Sequence, residues 1–157
     1  MDIIIPIAAI LAILGVAVIF GADVLAAVVL RPVYAGVDER TLVQVVGRGH
    51  HFGDRRLPIA GILGVVFTVI TAILAFLGSM PVPGVLAGTA LLLLVIWLIL
   101  FTRISKPINA RLSAAALADE VPADARELQE RWESIITLRA FIQGAAVLLL
   151  SLVLVFA

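Results

Sequence analysis

Two residues of this chain sit where an ionised side chain is expensive, and their charges are opposite. Arg139 lies in an almost wholly apolar run from Ile135 onward, and Asp23 is the one charge between Ile3 and Leu30. A helix rises about 1.5 Å per residue, which puts Arg139 roughly 9 Å beyond Glu133 and Asp23 roughly 12 Å before Arg31. Matched depth and opposite sign predict an intramembrane ion pair, with Gln143 one turn beyond Arg139. Such a pair either fixes helix register or belongs to a polar pocket that binds a small molecule or relays protons.

A second constellation is His50-His51-Phe52-Gly53-Asp54. On a helix His50 and Asp54 share a face by their i,i+4 spacing and could share a divalent metal. These are the only 2 histidines, and a catalytic metal usually wants three ligands. Asp38, Glu39 or a residue from farther along would have to complete the set. A solvated loop facing lipid headgroups accounts for the same residues, and no metal or other cofactor is predicted. Beside Asp23 and Arg139, the histidines could instead act as acid–base groups near neutral pH.

The elements that must position these residues follow from composition. Of 157 residues, 63% are hydrophobic and 14% charged, which excludes an ordinary water-soluble globule. Cysteine is absent, so disulfides, thiolate catalysis and zinc–thiolate sites are excluded. The net charge is 0 with no basic face, which argues against a nucleic-acid partner.

Four apolar runs, at about 3–30, 57–78, 85–102 and 133–157, predict four transmembrane helices in one domain. The only early charge is Asp2, and the first run lacks the basic start of a signal peptide, so it reads as a retained span. Gly15, Gly21, Gly61, Gly64 and Gly144 mark places for close helix approach. Arg31-Pro32 should close the first span, and 38–46 should form a short interfacial helix. Ser105-Lys106-Pro107 should break or kink the third, with a helix restarting at Pro107. The last helix should run unbroken from an Asp124 cap, placing Leu128, Trp132, Ile135 and Arg139 on one stripe. Trp132 would anchor that helix at the interface, and Arg126–Glu130 and Glu127–Arg131 would pair along it.

Ten of the 11 Lys and Arg residues fall in 31–56 and 103–131, and the other is Arg139. The positive-inside rule therefore places both polar blocks in the cytoplasm and both termini outside. The predicted fold is an all-α, antiparallel four-helix membrane bundle with short cytoplasmic interfacial helices.

Lys106-Pro107-Ile108-Asn109-Ala110-Arg111-Leu112, followed by Trp132 and Arg139, resembles the anthrone oxygenase-like family of small four-span membrane proteins. The matching positions are Pro107, Asn109, Leu112, Trp132 and Arg139, and the resemblance extends over the chain by span count and loop length. It implies a four-span fold. For the few enzymatic members it implies cofactor-independent oxygenation of anthrone-type polyketides. Such members often carry a histidine between the tryptophan and the arginine, where this chain has Ile135 and Ile136.

Two functions follow. Few intramembrane polar groups and many small residues favour a non-catalytic protein in the lipid bilayer, self-associating as a homo-oligomer or bound to a larger membrane complex. The alternative is an anthrone oxygenase-like enzyme or a binding protein for a small apolar ligand. Its pocket would gather Asp23, His50, His51, Asp54, Asn109, Trp132, Arg139 and Gln143 at the cytoplasmic side. The discriminating feature is whether Asn109 and His50 turn into the bundle beside Arg139 or out to water.

Overall fold

The computed structural model describes residues 3–157, and Asp2 lies outside the described residues. Every regular element among them is helical: α1 (Ile4–Leu25), α2 (Arg31–Ala35), α3 (Glu39–Leu77), α4 (Pro81–Leu100), α5 (Lys106–Ala118), α6 (Ala125–Glu133) and α7 (Ile136–Phe156). Two π-wound segments, Ala26–Leu30 and Phe101–Ser105, join α1 to α2 and α4 to α5 without a break. Four rods of 32, 39, 38 and 32 residues result, the fourth made of α6 and α7 in succession, each apolar and long enough to cross a bilayer. The chain is thus built as an integral membrane protein, an antiparallel four-helix bundle. Around the ring, α1 touches α3 and α7, and α4 touches the same two.

Small residues are prominent in the interior, and many of the large apolar ones stand on the exterior. Ala9, Ala12, Ala75, Ala87, Ala90 and Ala146 are fully enclosed, while Ile62, Leu77 and Phe141 stand exposed. Between spans there is no water to expel, so close backbone approach and dispersion hold the helices. Gly15 and Gly64 form the tightest crossing of α1 and α3. A Cβ at Gly15 would lie 2.5 Å from the Gly64 nitrogen and 2.7 Å from the Ala60 carbonyl oxygen. Gly144 also packs closely, its imagined Cβ 3.1 Å from the Phe20 ring. Gly21 and Gly61 differ: Gly21 faces open space, and Gly61 has only ordinary contacts with Ile19 at 3.7 and 3.8 Å.

The polar blocks are helical too, which changes the expected picture. At 39 residues α3 is about 58 Å long, far more than a hydrocarbon core of roughly 30 Å requires. Residues 47–56, open between helix and solvated loop in the sequence, are the interior of this helix, and 38–46 is its first turns rather than a separate interfacial helix. Asp38 caps it, accepting from the Thr41 amide at 2.9 Å. Against this extension lie α5 and α6, joined in an apolar layer of Leu42, Val46, Leu112, Ala116, Trp132 and Ile136. A Cβ at Gly47 would overlap the Leu112 carbonyl, so α3 and α5 are in backbone contact.

Arg31-Pro32 and Lys106-Pro107 do not end their helices. In both cases the five residues before the X-Pro pair adopt π winding, Ala26–Leu30 and Phe101–Ser105. A proline ring clashes with the carbonyl four residues back, and widening the preceding turn relieves the clash while the rod continues. Proline therefore sits in the first turn of α5 but restarts nothing.

The last rod is broken where an unbroken helix was expected. Ser134 donates to the Arg131 carbonyl at 2.7 Å, and the backbone turns at Ser134–Ile135 before α7 begins. Asp124 does not cap α6; its carboxylate binds Arg111 at 2.6 and 2.8 Å instead. Arg126 turns away from Glu130 and donates to the Tyr34 and Val37 carbonyls at 2.9 and 2.7 Å, tying α6 to the end of α2.

Candidate functional site

Arg139 falls in the first turn of α7, where the helix dipole favours an anion, and it is only 4% exposed. Such a cation needs compensation, and three of the four rods supply it. Asp23 of α1 accepts from Nη2 at 2.8 Å, and Ser105 at the end of the second π segment accepts from Nη1 at 2.7 Å. Gln143, one turn along α7, donates to the other Asp23 oxygen at 2.5 Å. Trp97 of α4 approaches that oxygen at 3.4 Å through its indole N–H. The rings of Trp97, Phe101 and Trp132 surround the guanidinium carbon at 5.9, 5.5 and 5.6 Å, within cation–π range.

Beside this cluster is a cavity of about 460 Å³ between α1, α3, α4 and the α5–α6 layer. Asp23, His50, Asp54, Asn109, Trp132 and Arg139 all line it. The His50 imidazole packs on Trp132 with centroids 5.3 Å apart. Asn109 donates through Nδ2 to both Asp54 oxygens, at 3.0 and 3.2 Å, linking α5 to α3. The remaining two residues singled out in the sequence lie apart from the lining. Gln143 stands behind Asp23. His51 turns away, its ring contacting Arg55 and, edge-on, Phe52 at 5.1 Å. No group of three or more His, Asp or Glu able to hold a metal ion occurs among the described residues.

Sequence reading missed Trp97, Phe101, Ser105 and Gln129. Gln129 lies one turn before Trp132 on α6, is 3% exposed and donates to Glu133 at 2.8 Å. Its i,i+3 spacing from Trp132 was the available signal. For Ser105 there was none, because the π segment shifts the phase of every residue after Phe101.

Five buried side-chain polar atoms have no hydrogen-bond partner among the described residues. They are His50 Nε2, Asn109 Oδ1, Gln129 Oε1, Trp132 Nε1 and Arg139 Nε. All five residues line the same cavity. Buried polar groups normally find partners, since leaving one unmet costs about 1–3 kcal/mol. The cavity is far larger than the one or two waters that usually satisfy such atoms need, and it falls within the roughly 300–1,000 Å³ of small-molecule sites.

Comparison with protein-family models, curated proteins and solved structures gives no match.

Proposed function

We propose that this protein binds a small molecule in the cavity between its spans, on the cytoplasmic side of the bundle. One observation carries the reading: every residue that holds an unpartnered buried side-chain polar atom, among the described residues, lines one cavity. The asymmetry of Lys and Arg supports the orientation, with both termini outside and the α3 extension, α5 and α6 in the cytoplasm. Asn109 and His50 line the cavity with Arg139, the arrangement that favours a pocket over a purely self-associating or accessory role.

A second reading has specific support. Asn109, Trp132 and Arg139, three of the five positions shared with the anthrone oxygenase-like family, meet at this cavity. An oxygenase acting on the bound molecule would have the His50 imidazole in its cavity wall as a candidate base.

Native mass spectrometry of the protein, extracted from its own membrane in a mild detergent, tests the binding reading. Gly61 lines the cavity, and a Cβ there meets only Ile19 at ordinary contact distances of 3.7 and 3.8 Å, so Gly61→Leu should extend into the cavity rather than into a neighbouring backbone. The wild-type chain should carry an added small-molecule mass that Gly61→Leu lacks. Mass added only by further protein chains, in both, would favour a self-associating or accessory protein.

A further inference from the structure

The cavity wall constrains its occupant further, provided the binding reading holds. Asn109 and Gln129 each present an NH₂ to a carboxylate, of Asp54 and Glu133 respectively. An ionised carboxylate only accepts, so both amide orientations are fixed and their carbonyl oxygens are the free ends. Two unpartnered acceptors and two unpartnered donors, the N–H groups of Trp132 and Arg139 Nε, therefore belong to residues of one cavity wall, with His50 Nε2 as a fifth unpartnered atom. Their complement is a head that carries both hydroxyl and carbonyl oxygens.

Charge narrows the choice. Arg139 is already neutralised by Asp23 at 2.8 Å, and Asp54 adds a further carboxylate to the wall, so an anionic head meets net repulsion. A cationic head would lie against the Arg139 guanidinium, which already occupies the faces of Trp97, Phe101 and Trp132. An uncharged head fits both constraints.

The rest of the wall is apolar and opens sideways. Leu57, Ile62, Val66 and Leu98 line the cavity yet are 37–62% exposed on the outer face of α3 and α4. Ile62 and Leu98 lie at similar distances along their helices from the turn that joins α3 to α4. Tight contacts bracket this opening. On the hairpin side Gly84 abuts the Phe76 ring, and on the other side Gly47 abuts the Leu112 backbone. The exposed apolar faces around the opening belong to spans, so what adjoins them is hydrocarbon.

We infer that the cavity takes an uncharged amphiphile of the monoacylglycerol type. Its hydroxyl and ester oxygens meet Trp132, Arg139, Asn109 and Gln129, and its hydrocarbon chain leaves between α3 and α4 into the bilayer.

The chain contains 2 tryptophans, and both line the cavity, so its intrinsic fluorescence reports this site. The full-length protein in nanodiscs of unbrominated lipid is titrated with a monoacylglycerol brominated on its acyl chain. Saturable loss of most tryptophan emission is expected, reversed by excess monooleoylglycerol and absent in Gly61→Leu. Brominated phosphatidylglycerol and a brominated alkyl-trimethylammonium should give only weak, non-saturating loss. Saturable quenching by either charged probe overturns the uncharged head. If no probe quenches saturably while the wild type still carries a small-molecule mass that Gly61→Leu lacks, the lipid class is wrong and the binding site stands. If no probe quenches and no mass is carried, both inferences fail together.

Discussion

The two ends of this bundle are built from the same helices and solve different problems. Toward the α3–α4 hairpin the interior is Ile5, Ala9, Ala72, Ala75, Ala87 and Val153, closed and without an ionisable group. Thr68 and Thr71 are buried nearby, but each hydroxyl donates to a carbonyl of its own helix, at 2.7 Å, and asks nothing of a neighbour. Toward the polar end the spans enclose Asp23, Arg139, Gln143 and Ser105, and the helices part around a cavity. The closed end shows what four such helices achieve when packing alone is required. The open end departs from that solution at a cost, in buried charge and unmet hydrogen bonds, that packing does not explain.

Breaking the ion pair should have the largest effect. Arg139→Ala leaves Asp23 buried without its cation and should cost about 3–5 kcal/mol. Unfolding midpoints in detergent would measure this. The double change Asp23→Leu with Arg139→Leu should cost clearly less than the sum of its parts, because neither charge is then stranded. Additive losses would mean the two residues act independently.

Next comes the α1–α3 crossing. Gly15→Ala forces a Cβ into the Gly64 backbone and should cost about 1–3 kcal/mol by the same assay. Gly21→Ala, which meets open space, should be neutral or raise stability by about 0.4–1 kcal/mol. Equal behaviour of the two variants would remove the distinction between packed and unpacked glycines.

Trp132→Phe should separate stability from binding at the open end. It keeps an aromatic face for Arg139 and His50 but deletes an N–H that the fold leaves unpartnered. The unfolding midpoint should hardly move, while the bound small-molecule mass should fall or disappear. A large stability loss with binding intact would make Trp132 a packing residue.

The smallest expected effect lies outside the spans. Hydrogen bonds from the Thr41 hydroxyl and amide hold the Asp38 carboxyl below its ordinary value. A group whose pKa is lowered on folding stabilises the protein above its unfolded value, and that contribution fades as pH falls through the folded one. Acidification should therefore weaken wild type slightly relative to Asp38→Ala, and the difference should vanish at low pH.

Four spans and the Asp23–Arg139 pair were legible in the sequence for one physical reason. Helix rise is fixed, so run length gives the span and counting gives the depth of a charge. The α3 extension was not legible, because Gly47, Gly49 and Gly53 among charges look like a loop. Packing of Leu42, Val43 and Val46 on α5 overrides that local preference. The π segments were hidden as well, since X-Pro ordinarily signals a helix end. Their consequence is large: the second π segment ends at Ser105, which accepts from Arg139. The cavity itself appears only when three rods and the α5–α6 layer are assembled.

Gly15 and Gly61 lie on the same pair of helices, α1 and α3, one at the closed crossing and one on the cavity wall. Giving each the same leucine is the most direct test of a packed crossing and, beside it, a hollow wall. Gly15→Leu should fail to fold. Gly61→Leu should unfold at the wild-type midpoint while carrying no small-molecule mass. Equal loss of folding in both, or a Gly61→Leu protein that still carries the molecule, would contradict the account.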